Sequence, residues 1–294
     1  MFTGVYTALA TPFTKQGQVD YPVLERLIQA QLAARIEGFV LLGTTEAATL
    51  SAEEKTEILR FCTPRIKGRA KIIIGTGTND TASTVQNTRA ALAFDPDGVL
   101  IVTPYYNKPN PNGLVAHYKQ AAALGGPVIL YHIPGRTGLK LSAETLDRLL
   151  NEVPQIAGVK ESDYDMAHVT DTAVKYSSKL SYLCGNDDLF PQHLALNSSG
   201  IISAAANVFA PAFVQIYKLF QEGRTKESFA LFAQLYPLIK ACYLETNPTC
   251  VKYMLSKIGF GTEAVRLPLG EISTENKQKI DRLLQTADNN LFIK

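Results

Sequence analysis

The stretch GFVLLGTTEAATLSAEEKTEILRFCTPRIKGRAKIIIGTG (38–77) decides how the rest of the chain is read. It opens on a short apolar run, 38–43, and closes on another, 71–77, rich in β-branched residues. Between them SAEEKTEILRFCTPRIK (51–67) has amphipathic helical spacing, and Ser51 followed three residues on by Glu54 is a capping-box signature. Both apolar runs are continuous rather than alternating, as parallel strands buried on both faces require.

Runs of the same kind lie at 5–10 (VYTALA), 98–104 (GVLIVTP), 127–133 (PVILYHI), 156–160 (IAGVK), 180–185 (LSYLCG) and 200–207 (GIISAAAN), which makes eight candidate strands. A further amphipathic segment, DYPVLERLIQAQLAARI (20–36), falls between two of them. Strand and helix therefore alternate, and eight such units over about 220 residues predict an α/β fold, a (β/α)8 TIM barrel. An open doubly wound sheet is the competing architecture. After about residue 224 the pattern changes: 225–244, 248–258 and a polar segment near 274–288 read as helices with no strands between them. The expected organisation is a barrel catalytic domain over 1–224 and a C-terminal helical domain over 225–294. No low-complexity linker or short-period repeat interrupts it.

With 294 residues, 46% of them hydrophobic and 19% charged, the chain has the composition of a soluble globular protein. A net charge of +2 sets up no broad field for nucleic acid or membrane, so an acidic ligand must be held by local groups. Cys62, Cys184, Cys242 and Cys250 form no C-x-x-C pair, which suggests neither a zinc site nor a disulfide framework and fits a reducing cytosol. The start, MFTGVYTALATPF, lacks the basic flank and long apolar run of a secretion signal. No stretch approaches the roughly 18 apolar residues of a membrane-crossing helix. A cytoplasmic location is expected.

A barrel gathers its chemistry at the C-terminal ends of the strands, and these ends carry reactive side chains. Strand 2 ends in Gly43-Thr44-Thr45, strand 4 in Thr103-Pro104-Tyr105-Tyr106-Asn107, strand 5 in Tyr131-His132-Ile133-Pro134-Gly135-Arg136, and strand 6 in Lys160-Glu161-Ser162. A lysine closing an apolar strand is partly desolvated, which favours the free amine that attacks a carbonyl. The alternative is that Lys160 leaves the sheet and reaches water. Tyr131 is a candidate proton carrier, with Thr45 and Tyr106 able to complete a hydroxyl relay, although tyrosines also pack at barrel rims. The fork of Arg136 suits a substrate carboxylate, and its alternative is a surface arginine. Gly75-Thr76-Gly77 starts like a dinucleotide fingerprint, but position 80 is Asp, and the match is rejected. His117, His132, His168 and His193 have no metal-ligand spacing and read as surface or packing residues, so no metal or other cofactor is implied.

The set GTT after strand 2, TPYYNKP after strand 4, YHIPGRTG after strand 5 and GVKES in strand 6 resembles the pyruvate-dependent class I aldolase superfamily of N-acetylneuraminate lyase and dihydrodipicolinate synthase. Order and spacing extend to CGNDD (184–188), GIISAAANV (200–208) and NPTCVKYML (247–255), so the resemblance spans the chain. It implies that Lys160 forms a Schiff base with pyruvate, that Tyr131 handles protons, and that Thr44 and Thr45 supply hydroxyls. It further implies that Tyr106 is lent by a neighbouring subunit and that Ile202 contacts substrate. Arg136 stands where the synthases bind the second substrate's carboxylate. The implied reaction is condensation of pyruvate with L-aspartate 4-semialdehyde to 4-hydroxy-tetrahydrodipicolinate, on the route to diaminopimelate and lysine. A 2-keto-3-deoxy sugar acid or sialic acid lyase and a non-catalytic pyruvate-binding relative are the other two readings. The family's assembly is a homotetramer, a dimer of dimers with Tyr105 and Tyr106 at the tight interface.

Three departures stand out against that resemblance. The family's G-T-T-G-E-S run reads Gly43-Thr44-Thr45-Glu46-Ala47-Ala48, one residue short and without its second glycine, and Glu46 is expected to turn away from the substrate. His132 stands where the family more often has Asn. In the cleft that binds feedback lysine in some relatives, Asn79 and Tyr105 are kept, Ser83 stands where a Glu would hold the effector's amine, and Ala52 and Lys55 replace common histidines. Weak or absent inhibition by L-lysine is expected.

Overall fold

Each of the eight apolar runs forms a strand: β1 (Gly4–Ala8), β2 (Gly38–Leu41), β3 (Lys71–Gly75), β4 (Gly98–Val102), β5 (Val128–His132), β6 (Ile156–Glu161), β7 (Ser181–Cys184) and β8 (Gly200–Ser203). In this computed structural model, which describes residues 1–45 and 47–294, they follow one another in chain order as a closed parallel barrel. The helices between them are α1 (Tyr21–Ala33), α2 (Ala52–Ile66), α3 (Thr81–Leu92), α4 (Pro111–Ala122), α5 (Pro134–Thr137), α6 (Ala143–Glu152), α7 (Met166–Tyr176) and α8 (Phe190–Ala195). After β8 come α9 (Ala206–Gln221), α10 (Thr225–Ala241), α11 (Thr249–Lys257) and α12 (Thr274–Thr286). The fold is the expected (β/α)8 barrel with C-terminal helices. Among the described residues no helix is long and apolar enough to cross a membrane.

Backbone contacts divide the chain into two units. The first, Met1–Thr3 with Lys71–Ile202, holds β3 to β7 and most of β8. Its strands pair in parallel, and the register sets Tyr131 beside Lys160 and His132 beside Glu161. One residue of β6, Ala157, is extra: Val128 pairs with Ile156 but Ile129 pairs with Gly158. This bulge fixes which residues of β6 face which way. Strand interiors such as Ile73, Val99, Ile101, Ile129 and Val159 are fully buried, each contributing about 1.5–3 kcal/mol by leaving water.

The second unit is Gly4–Ala70 with Ser203–Lys294. The capping box that starts α2 is formed: the Glu54 amide donates to Ser51 Oγ and the Ser51 amide donates to the Glu54 carboxylate. Helix α9 packs on β1 and is kinked at Phe209 (φ −118°, ψ 27°). The cause is Pro211, which has no N–H for the carbonyl of Asn207. Gln31, buried on α1, takes over that carbonyl at 3.0 Å and the Ala206 carbonyl at 2.9 Å, while Thr7 donates to its Oε1 at 2.8 Å.

Candidate active site

In the first unit, the pleat puts Lys160 and Tyr131 on one face of the β5–β6 pair and Glu161 and His132 on the other. Lys160 is 5% exposed and Tyr131 6%, so the lysine does not run out to water. Its Nζ lies 4.1 Å from the centre of the Tyr131 ring. Gly185, directly after β7, makes room for it: a Cβ there would stand 3.1 Å from Lys160 Cε and 2.9 Å from the Glu161 carbonyl, and would overlap Ser162 Oγ. Both Ser162 and Lys160 therefore crowd the same small space. The Ser162 hydroxyl is buried there without a hydrogen-bond partner. Gly185 lies within the CGNDD stretch, where nothing local in the sequence marks it; only the approach of β6 reveals its role.

Arg136 lies on α5, a single helical turn ended by Gly138 in the left-handed region (φ 65°). The same glycine leaves space for Lys108, whose Cε would be 2.9 Å from a Cβ there. Arg136 is exposed, and Ile202 is buried in β8. Tyr106 is 89% exposed and holds φ at 72°. A bulky residue in that conformation costs on the order of 1–3 kcal/mol, and such strain gathers at functional loops. Asn107, the next residue, donates to the Asn79 carbonyl at 2.7 Å.

In the second unit, Thr44 is half-buried and Thr45 buried, in the segment after β2. Leu42, just before them, also has a positive φ, 54°. Thr45 Oγ1 donates to the Leu9 carbonyl at 2.8 Å, which leaves its lone pairs to accept a proton donor. The end of β1 that offers this carbonyl is itself held by Asn207, which accepts from the Ala10 amide at 2.8 Å and donates to the Ala8 carbonyl at 2.7 Å. Arg266 holds the continuation of the Thr44-Thr45 segment: it donates to the carbonyls of Thr49 and Gly17 and to both carboxylate oxygens of Glu54. Glu46, expected to turn away from the substrate, lies outside the described residues.

Of the four histidines, expected at the surface or in packing, none is exposed: His117 and His193 pack against the rings of Tyr118 and Tyr182, but His132 and His168 depart from the expectation and join a buried polar cluster. His132 Nδ1 is 2.8 Å from Glu161 Oε1 and 3.0 Å from Oε2, and His168 Nε2 is 3.7 Å from Oε2. The Asp163 amide donates to Glu161 Oε1 at 2.8 Å. Burial opposes ionisation of Glu161 most strongly, but these partners outweigh it and hold the carboxyl down at about 2. The same carboxylate raises His168 above its ordinary value. His193, by contrast, is pushed down to about 4 by burial.

His132, Asp163 and His168 bring possible ligand atoms within 4.8 Å of one another, a grouping that short-range spacing in the sequence does not reveal. The tautomer of His132 speaks against a metal there. Its Nε2 accepts from the Leu141 amide at 3.1 Å, so the ring proton sits on Nδ1 and points at Glu161. A cation on Nδ1 would require an imidazolate. The cluster fits a neutral histidine donating to a carboxylate.

A buried lysine and tyrosine at adjacent strand ends of a parallel barrel, with an arginine on the following turn, define a class of carbonyl-addition site. Residues 1–287 match the model of the dihydrodipicolinate synthetase family. The chain is 37% identical over 286 residues to a 4-hydroxy-tetrahydrodipicolinate synthase of Brachyspira hyodysenteriae, covering 97% of both chains. It is 38% identical over 289 residues to the enzyme of that name from Thermodesulfovibrio yellowstonii, covering 98% of this chain and 99% of the relative. The crystal structure of dihydrodipicolinate synthase from Aquifex aeolicus superposes over 100% of both chains with a TM-score of 0.94 at 35% identity. The chain belongs to the dihydrodipicolinate synthetase family.

Proposed function

We propose that this chain condenses pyruvate with L-aspartate 4-semialdehyde to 4-hydroxy-tetrahydrodipicolinate, with Lys160 as the Schiff-base residue. The observation that carries the reading is the burial of Lys160 against Tyr131 at the end of β6, in a chain of this family. The Lys160 amine adds to the pyruvate ketone and water leaves, forming an imine. Loss of a methyl proton gives the enamine, with the iminium nitrogen as electron sink. The enamine carbon bonds to the aldehyde carbon, whose oxygen takes up a proton. The amino group of the semialdehyde then adds to the imine carbon and expels Lys160, closing the ring. The net by-product is one water.

Tyr131 moves the protons in this scheme, Thr45 serves the hydroxyl relay with the lone pairs that its bond to Leu9 leaves free, and Thr44 and Ile202 are the pyruvate-binding residues. Arg136 orients the semialdehyde by its carboxylate. Tyr106, exposed and strained in one copy, is supplied to a neighbouring copy in a dimer of dimers with Tyr105 at the same interface. The exposed Arg136 favours this reading over a sugar-acid lyase, because a guanidinium suits a second carboxylate.

Borohydride reduction in the presence of pyruvate, followed by peptide mass mapping and with Lys160→Ala as control, tests the chemistry. A stable adduct on Lys160 is expected. An unmodified Lys160 in protein that binds pyruvate would point to the non-catalytic reading, and cleavage of a sugar acid without coupling to the semialdehyde would point to the lyase.

A further inference from the structure

His132 touches two structures at once. Through Nδ1 it donates to Glu161, the residue after Lys160 on β6; through Nε2 it accepts from Leu141. Leu141 ends the loop that leaves β5 at Ile133 and carries Arg136. Both ends of that loop are thereby fastened to one ring: the chain leaves from the backbone of His132 and returns to its side chain.

Within the loop, Thr137 Oγ1 donates to the Ile133 carbonyl at 3.0 Å and accepts from the Leu139 amide at 3.2 Å, and the Gly138 amide donates to the Pro134 carbonyl at 2.8 Å. The turn is internally braced, so its placement depends on its two ends. Lys140 adds a weaker outer strap, with Nζ 2.7 Å from Asp165 Oδ2 and 3.5 Å from Asp163 Oδ2. That strap is half exposed to water and contributes little. His132 and Glu161 are buried, at 1% and 0% exposure.

We propose that His132 is a positioning residue that locks the Arg136 loop to the strand bearing Lys160, setting the distance between the amine and the group that orients the second substrate. The proposal rests on the reading of Arg136 as the carboxylate holder. It predicts a separation of effects: pyruvate capture needs Lys160, Tyr131, Thr44 and Thr45, none of which lies on this loop, whereas the semialdehyde needs the loop in place.

His132→Asn makes the separation measurable. An asparagine amide nitrogen sits one bond from Cγ, like Nδ1, and can still donate to Glu161; neither of its polar atoms reaches as far as Nε2, so the Leu141 amide loses its acceptor. The expected result is a KM for L-aspartate 4-semialdehyde raised about three- to tenfold, the range a lost buried hydrogen bond supports. KM for pyruvate and the rate of borohydride trapping on Lys160 stay at wild-type values. Hydrogen–deuterium exchange over residues 133–141 speeds up while β5 and β6 keep their protection. An unchanged semialdehyde KM, or a loss of pyruvate trapping in step with it, overturns the proposal. Should the variant fail to fold, exchange in the wild-type protein decides: slow exchange at the Leu141 amide supports the lock and fast exchange refutes it. Failure of the functional reading is seen separately, as absence of pyruvate trapping or of semialdehyde turnover in the wild-type enzyme.

Discussion

Replacing Gly185 by alanine is the sharpest test of how the Lys160 chain is accommodated. Gly185 does not have a positive φ, so alanine meets no backbone penalty there and the whole effect is one of space. The added methyl overlaps Ser162 Oγ, stands 2.9 Å from the Glu161 carbonyl and 3.1 Å from Lys160 Cε. The first neighbour is a side chain that can turn, although it is buried; the second is strand backbone, and the third is the stem of the proposed nucleophile. Overpacking of this kind costs about 1–3 kcal/mol, and for a chain of this size each kcal/mol lowers Tm by roughly 2–4 °C. A displaced Lys160 costs more in rate than in stability, since reacting groups moved by a fraction of an ångström to one ångström lose about ten- to hundredfold. Thermal denaturation and single-turnover borohydride trapping with pyruvate read the two effects. Adding Ser162→Ala to Gly185→Ala removes the first overlap and leaves the other two, so Tm recovers more than the trapping rate does. Wild-type trapping in Gly185→Ala, or full recovery of both quantities in the double variant, would refute the reasoning.

Glu161 and His168 give opposite pH signatures. The Glu161 carboxyl is depressed from 4.5 to about 2, so the stability it contributes is present above pH 4.5 and is lost as pH falls from 4.5 toward 2; Glu161→Gln flattens that acid limb of Tm against pH, and an unchanged limb would show that the carboxylate is not held. His168 is raised, so its contribution is complete below pH 6.5 and fades as pH rises through the raised value. The Tm difference between wild type and His168→Asn shrinks over that alkaline interval, and a constant difference contradicts it. For L-lysine, the absence of a carboxylate at Ser83 removes a charge-assisted bond of about 1.5–3 kcal/mol, so inhibition is weak or absent in steady-state assays. Potent inhibition at micromolar lysine contradicts this.

The barrel was legible because burial on both faces leaves a signature in the chain: continuous β-branched runs at eight places, each of which is a strand. Helix α2 was legible at its first residue, since Ser51 and Glu54 satisfy each other locally. Lys160 was only half legible. Its position at a strand end could be read, but burial against Tyr131 depends on a strand 29 residues away in the chain, through the register of His132 with Glu161. The histidine cluster was invisible for the same reason, because a search for ligand spacing looks along the chain and this cluster forms across β5, β6 and α7. Gln31 and Arg266 were missed because each satisfies backbone carbonyls distant in sequence, a role that leaves no local pattern.

Ala157, the extra residue of β6, gives the strand a parity. Downstream of it, the faces of β6 are exchanged relative to a pairing with β5 that ran on unbroken from Ile156. In that unbroken pairing Tyr131 would meet Val159, and the Lys160 amine would stand on the other face, opposite His132. Deleting Ala157 alone closes the bulge and keeps Lys160 beside Tyr131, whereas deleting Gly158 as well turns the amine to the opposite face. The strand therefore tolerates loss of its bulge but not of the next residue as well, which would put a carboxylate where the amine stands.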